Sequence, residues 1–345
     1  MHRRARARRA LIPSLVLGVV AAAAPAAMAA PGDTVLISRE TGAAGSPIAG
    51  GADVPHPHTL SANGNRGLFQ ASDGITTYVR DVLAGTSTPV SVTAGGGPTS
   101  EGVLWPNLDG AGNRVAFQSS DSTMVPGISG FKLRIFVRDV AAGTTTLVSS
   151  TPAGIDADDN ALRPSISRDG RYVSFTSFAP NLGPQGVGTA QVFRKDLTTG
   201  AVVHVSKSTG GALPDGNTSW SSISADGRRV VFMSKATNLD PDDTTDDIDL
   251  YLRDIEAGTT TLVTPGLTGA GFPAISDDGN RVAFASEGQV YVRDVAAATT
   301  TPASTTALGV LGTGTSSEPS ISADGRSVAF SSDASNFPSA SPATL

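Results

Sequence analysis

Three observations predict an all-β chain assembled from six copies of one antiparallel unit. The chain has 345 residues, 39 glycines and 22 prolines, and is 39% hydrophobic but only 5% aromatic. That content suits many short strands and turns and is poor in the large side chains of a helical bundle. A hairpin signature with a central glycine recurs at intervals of 48, 58, 57, 52 and 46 residues. Around each glycine, aliphatic and aromatic residues alternate with the period of two that marks a strand.

Before the repeats stands an export segment. Arg3, Arg4, Arg6, Arg8 and Arg9 precede an apolar run that starts at Leu11 and ends in Ala27-Met28-Ala29, a small-residue cleavage pattern. Residues 1–29 therefore read as a secretion signal, and Arg8-Arg9-Ala10-Leu11-Ile12 resembles a twin-arginine export motif. Cleavage takes the formal net charge from −6 to −11, and no later apolar span is long enough to cross a bilayer. An acidic mature chain repels phosphate backbones, so nucleic acid is not an expected partner. With no cysteine there is neither a disulfide nor a lipoprotein anchor, and stability rests on burial and closure.

The propeller is expected over residues 30–337. The hairpins read PSISRDGRYVSF from Pro164, SSISADGRRVVF from Ser221, PAISDDGNRVAF from Pro273 and PSISADGRSVAF from Pro319, with weaker copies HTLSANGNRGLF from His58 and PNLDGAGNRVAF from Pro106. Their turn glycines are Gly64, Gly112, Gly170, Gly227, Gly279 and Gly325. Five copies have Asp-Gly or Asn-Gly at the turn, so the acid there is a turn residue and not a catalytic one. A third strand follows as Tyr78-Val79-Arg80-Asp81 and its equivalents ending at Asp139, Asp196, Asp254 and Asp294. The aspartate is placed to cap the next turn. A fourth strand ends ten residues later at Ser91, Ser149, Ser206, Thr264 and Ser304.

A four-stranded meander with two apolar faces cannot bury both alone. Copies stacked face to face in a ring hide both, which predicts a six-bladed β-propeller of four-stranded blades. The hairpin S-x-D-G-R-x-V-x-F followed by Y-V-R-D resembles the TolB-like six-bladed β-propeller repeat over residues 34 to 333. The resemblance is to the propeller alone; the α/β domain that precedes it in TolB has no counterpart in Ala30 to Asp33, and a Tol-system role is not implied. Thr34-Val35-Leu36-Ile37-Ser38 reads as an outer strand that closes the last blade. That blade is expected to be incomplete and the weakest, and residues 338–345 to be a disordered tail.

One end of the ring is expected to carry the function. From hairpin glycine to third-strand aspartate the distance is 17, 27, 26, 27 and 15 residues, so length variation falls on one face, where binding sits on rigid scaffolds. That face is acidic, with Asp156, Asp158 and Asp159 in one loop and Asp240, Asp242, Asp243, Asp246, Asp247 and Asp249 in another. Solvated turn acids are the plainer reading; calcium is the cation such loops would take, although an EF-hand's glycine and terminal glutamate are missing. Seven residues before the six glycines stand Pro57, Trp105, Arg163, Trp220, Phe272 and Glu318. These are expected to surround the channel mouth, where aromatics with an Arg and a Glu suit a peptide or sugar; the alternative is rings that wedge between blades.

Catalytic patterns are sparse. There is no G-x-S-x-G elbow, and His56, His58 and His204 lack a third aligned ligand for zinc. The expected function is an exported, monomeric, non-enzymatic binding or scaffold module for a protein, peptide or glycan, without a cofactor. Two alternatives are a carbohydrate-active or cell-wall hydrolase with channel-mouth carboxylates and a calcium-stabilised structural propeller.

Overall fold

A computed structural model of the protein describes residues 52–53, 59–71, 73–184 and 189–337. The signal segment, the strand expected over Thr34–Ser38, Pro57 and the 338–345 tail lie outside the described residues. Blade one comprises β1 (Ala52–Asp53), β2 (Arg66–Ala71), β3 (Thr77–Asp81) and β4 (Thr86–Pro89). Blade two is β5 (Leu104–Leu108), β6 (Arg114–Ser119), β7 (Arg134–Asp139) and β8 (Thr144–Leu147). Blade three is β9 (Ala161–Ile166), β10 (Tyr172–Ser177), β11 (Gln191–Asp196) and β12 (Val202–His204). Blade four is β13 (Thr218–Ile223), β14 (Arg229–Ser234), β15 (Asp249–Asp254) and β16 (Thr259–Leu262). Blade five is β17 (Gly271–Ile275), β18 (Arg281–Ser286), β19 (Gln289–Asp294) and β20 (Thr299–Pro302), and blade six has β21 (Ser316–Ile321) and β22 (Val328–Ser332). Each is an antiparallel meander in chain order, and together they form a six-bladed β-propeller.

The repeated polar residues build the turns. Ser224 Oγ donates to Asp226 Oδ1 at 2.7 Å and accepts from Arg229 N at 3.0 Å, while Arg228 N donates to the same carboxylate. In blade two Asp109 takes the place of the serine and accepts from Asn113 N and Arg114 N, which is why Ala111 suffices before Gly112. The third-strand aspartates cap the next turn: Asp139, Asp254 and Asp294 each accept at 2.9 Å from the amide three residues on. The fourth-strand hydroxyls of Ser91, Ser149, Ser206, Thr264 and Ser304 each accept from the first amide of the third strand, or its neighbour, at 2.9–3.1 Å.

The core lies between blades. Leu68 and Val79 of blade one pack with Leu108, Val115 and Phe117 of blade two; Ala116 and Ile135 pack with Ile166, Val173 and Phe175 of blade three; the pattern continues to Ala274 and Ala283 against Ile321. Phe69, Phe117, Phe175, Phe232 and Phe284 are fully buried, each worth about 1.5–3 kcal/mol in apolar burial.

At the hairpin end, backbone bonds link the blades in series: Ala62 N to Gly110 O, Gly110 N to Arg168 O, Asp169 N to Ala225 O, Ala225 N to Asp277 O and Asp277 N to Ala323 O. In four blades an arginine two residues past the turn glycine packs on the next blade, and in blade three Tyr172 takes that place. Arg66 Nη1 meets Asn113 Oδ1 at 2.5 Å, Arg114 Nη1 meets Gly170 O at 2.8 Å, and Arg229 Nη1 meets Asn280 Oδ1 at 2.5 Å. Arg66 and Arg229 also pair with Asp81 and Asp254 of their own blades.

Blade six breaks this pattern. Ser327 stands where the arginine would be, and Gly64 of blade one has no described atom within 4 Å of an added Cβ. Leu60, the blade-one counterpart of buried Leu108, Ile166, Ile223, Ile275 and Ile321, is 60% exposed, and every residue of β22 is only half-buried.

Candidate functional site

The innermost strand of each blade from two to six carries a β-bulge at one position. In β13, Ser219 pairs Met233 and Ser221 pairs Phe232, leaving Trp220 extra; in β9, β5, β17 and β21 the register shifts opposite Phe175, Phe117, Phe284 and Phe330. A bulge re-aims a side chain out of the alternation of the strand. Trp105, Arg163, Trp220, Phe272 and Glu318 sit at these bulges with φ of 53°, 52°, 42°, 52° and 51°. Left-handed backbone at bulky residues costs about 1–2 kcal/mol each and persists only where its surroundings enforce it. A proline follows four of the five, and Ser221 follows the other.

All five line one cavity at the channel mouth, with Asn107, Ser165 and Ser222 deeper on the same strands. The rings do not wedge between blades. They meet across the axis: Trp105 lies edge-on to Trp220 at 4.8 Å between centroids, and Trp220 lies edge-on to Phe272 at 5.0 Å. The Arg163 guanidinium packs over Trp220 at 4.0 Å and lies 5.7 Å from Trp105. Its backbone amide donates to Gln118 Oε1 of blade two, which anchors that bulge to the neighbouring blade. Burial alone pushes the Arg163 pKa down, with no opposing charge to raise it. Ser222, in the same lining, is 4% exposed and its hydroxyl has no hydrogen-bond partner among the described residues.

Asp156, Asp240, Asp243 and Asp249 have structural partners. Asp156 forms ion pairs of 3.0 Å with Lys132 and with the fully buried Arg134. Asp240 accepts from Asp242 N and Leu262 N, Asp243 accepts from Thr245 N and from the Tyr251 hydroxyl, and buried Asp249 accepts from Thr264 Oγ1 at 2.6 Å. Burial first, then Asp243 and Asp247, hold the Asp249 pKa above the usual carboxylate range. Among the described residues no three or more His, Asp or Glu side chains are grouped to hold a metal ion. His204 lies in β12, half-buried, with Nε2 3.1 Å from Gln191 Oε1.

No family model and no curated protein matches the sequence. Among solved structures, a TolB-designated protein of Agrobacterium tumefaciens superposes with a TM-score of 0.52 at 15% identity, over 82% of this chain and 90% of that one. The chain has the TolB-like propeller fold. TolB of Acinetobacter baumannii matches with a TM-score of 0.45 at 17% identity over 81% of this chain, which spans 63% of that protein. An oligogalacturonate lyase of Vibrio parahaemolyticus matches with a TM-score of 0.42 at 9% identity, over 82% of this chain and 91% of that one. At these identities the likeness is one of fold. Among the described residues no helix is long and apolar enough to cross a membrane.

Proposed function

We propose that this chain is an exported binding propeller that captures a protein, peptide or glycan partner at its channel mouth. The observation that carries the reading is the convergence of five bulged side chains, one from each of blades two to six, on a single point of the axis. Strained left-handed backbone at tryptophan and phenylalanine, repeated at equivalent positions, is the kind of local cost that accompanies a binding surface. Aromatic faces with one guanidinium and one carboxylate supply stacking area and orientation. With the rings packed together the cavity is about 80 Å³, well below the roughly 300 Å³ of a small-molecule pocket, so a ligand must part them. The arginine-rich start, the apolar run and Ala27-Met28-Ala29 support export.

Among the described residues the cavity lining has a single carboxylate, Glu318. Glycoside hydrolysis by a carboxylate pair needs two flanking the bond, so the mouth favours binding over that chemistry. The test is an array of peptides and cell-envelope glycans read with the mature protein and with Trp105→Ala and Trp220→Ala. Captured probes that both variants release, with folding intact, are the expected result. Capture unaffected by either substitution would remove the channel mouth as the site.

A further inference from the structure

We infer that the channel mouth recognises the C-terminal carboxylate of a peptide, entering end-on and pairing with the Arg163 guanidinium. This deepens the reading above and rests on it. Among the described residues Arg163 is the only cation in the cavity lining, and no carboxylate of theirs lies within 4.0 Å of it. Glu318, the lining's one acid, stands three blades away. The guanidinium lies 4.0 Å over the Trp220 ring and 5.7 Å from Trp105, and among the described residues its N–H groups donate no hydrogen bond; the one that Arg163 donates is from its backbone amide. Edge donors in a planar fork match the two oxygens of a carboxylate. The buried Ser222 hydroxyl in the same lining, without a partner among the described residues, is a second donor for such a group.

The far end of the channel decides which carboxylate. The hairpin turns there are tied blade to blade through Ala62, Gly110, Arg168, Ala225, Asp277 and Ala323. Four of these are alanine or glycine. The other two, Arg168 of blade three and Asp277 of blade five, form an ion pair of 3.2 Å across the turn of blade four, so charged side chains meet at that end. The occupant we infer is therefore a chain end that enters from the mouth, not a chain threaded through the ring. A peptide carries a carboxylate at its end, whereas acids of a glycan are substituents along its side. The rings of Trp105 and Phe272 then flank the last residues of the peptide.

The experiment uses the mature protein immobilised against a random hexapeptide library, synthesised half as free acids and half as C-terminal amides, with retained peptides read by mass spectrometry. Wild type is expected to retain free acids over amides by roughly tenfold or more, the value of a charge-assisted pair. Arg163→Gln should bring that ratio to one, and Arg163→Lys, which keeps the charge without the fork, should fall between and covers the case in which the glutamine variant does not fold. Equal retention of acids and amides by wild type would overturn the carboxylate inference and leave the channel mouth as a peptide site. No retention of either form would overturn it too, and glycan capture on the array would then decide the broader reading.

Discussion

Adding one methyl group at two equivalent turns separates backbone strain from blade packing. Gly64 and Gly227 occupy the same hairpin position with φ of 71° and 69°. An alanine at either must hold the left-handed conformation, which costs about 1–2 kcal/mol. At Gly64 the methyl meets no described atom within 4 Å, so that is the whole expected loss. At Gly227 it runs into the Tyr172 ring of blade three and comes within 2.8 Å of the Tyr172 Cβ. Tyr172 is also held against the Arg171 and Arg194 guanidinium groups, at 4.9 and 4.4 Å, so it has little freedom to turn aside. Overpacking of that kind adds about 1–3 kcal/mol, for a total of about 2–5 kcal/mol at Gly227→Ala. The difference between the variants corresponds to a melting temperature lower by roughly 1–2 °C per kcal/mol, from an unfolding entropy of about 2.1 cal/mol/K per residue. Thermal unfolding followed by circular dichroism measures it. Equal destabilisation by Gly64→Ala and Gly227→Ala would refute the claim that turn glycines are the seats on which the preceding blade packs.

Two further outcomes follow from burial and from the gap in the pattern at blade six. Burial pushes the His204 pKa down from 6.5 to about 4, so between those values only the unfolded chain takes up the proton. Stability is then complete above 6.5 and falls by about 3 kcal/mol as pH drops through that window; His204→Gln should flatten the slope of urea stability against pH there, and an unchanged slope would contradict it. Amide exchange in β21 and β22 should outrun that in β9 to β12, because blade six has a small apolar contact with blade five and carries Ser327 where blade three packs Tyr172 on the next blade; equal protection of the two groups of strands would reject a weak sixth blade.

The blades were legible because their determinants are local. Asp-Gly and Asn-Gly steps specify turns, and Val230 and Phe232 show the strand period within three residues. The capping role of Asp254 was readable for the same reason. Its second role, holding Arg229 over the next blade, was not, although an arginine two residues past the glycine recurs at Arg66, Arg114, Arg229 and Arg281. That signal needed the knowledge of which blade lies alongside. Aligning the repeats placed Trp105, Arg163, Trp220, Phe272 and Glu318 at one position, and the structure brings those five together. Their left-handed backbone had no local sign, since nothing in tryptophan or phenylalanine favours it. The loop acids illustrate the opposite limit: Asp156 reads as a solvated turn acid, yet its partner is Arg134, a fully buried residue 22 positions away.

The chain contains two tryptophans, one in blade two and one in blade four, with their rings 4.8 Å apart at the axis. Selective isotope labelling of tryptophan and a nuclear Overhauser measurement between the indoles test that directly. Strong cross-peaks between the Trp105 and Trp220 ring protons, lost in Trp105→Phe and in Trp220→Phe, are predicted. Two folded, mutually silent indoles would contradict the convergence of the bulges on one channel mouth.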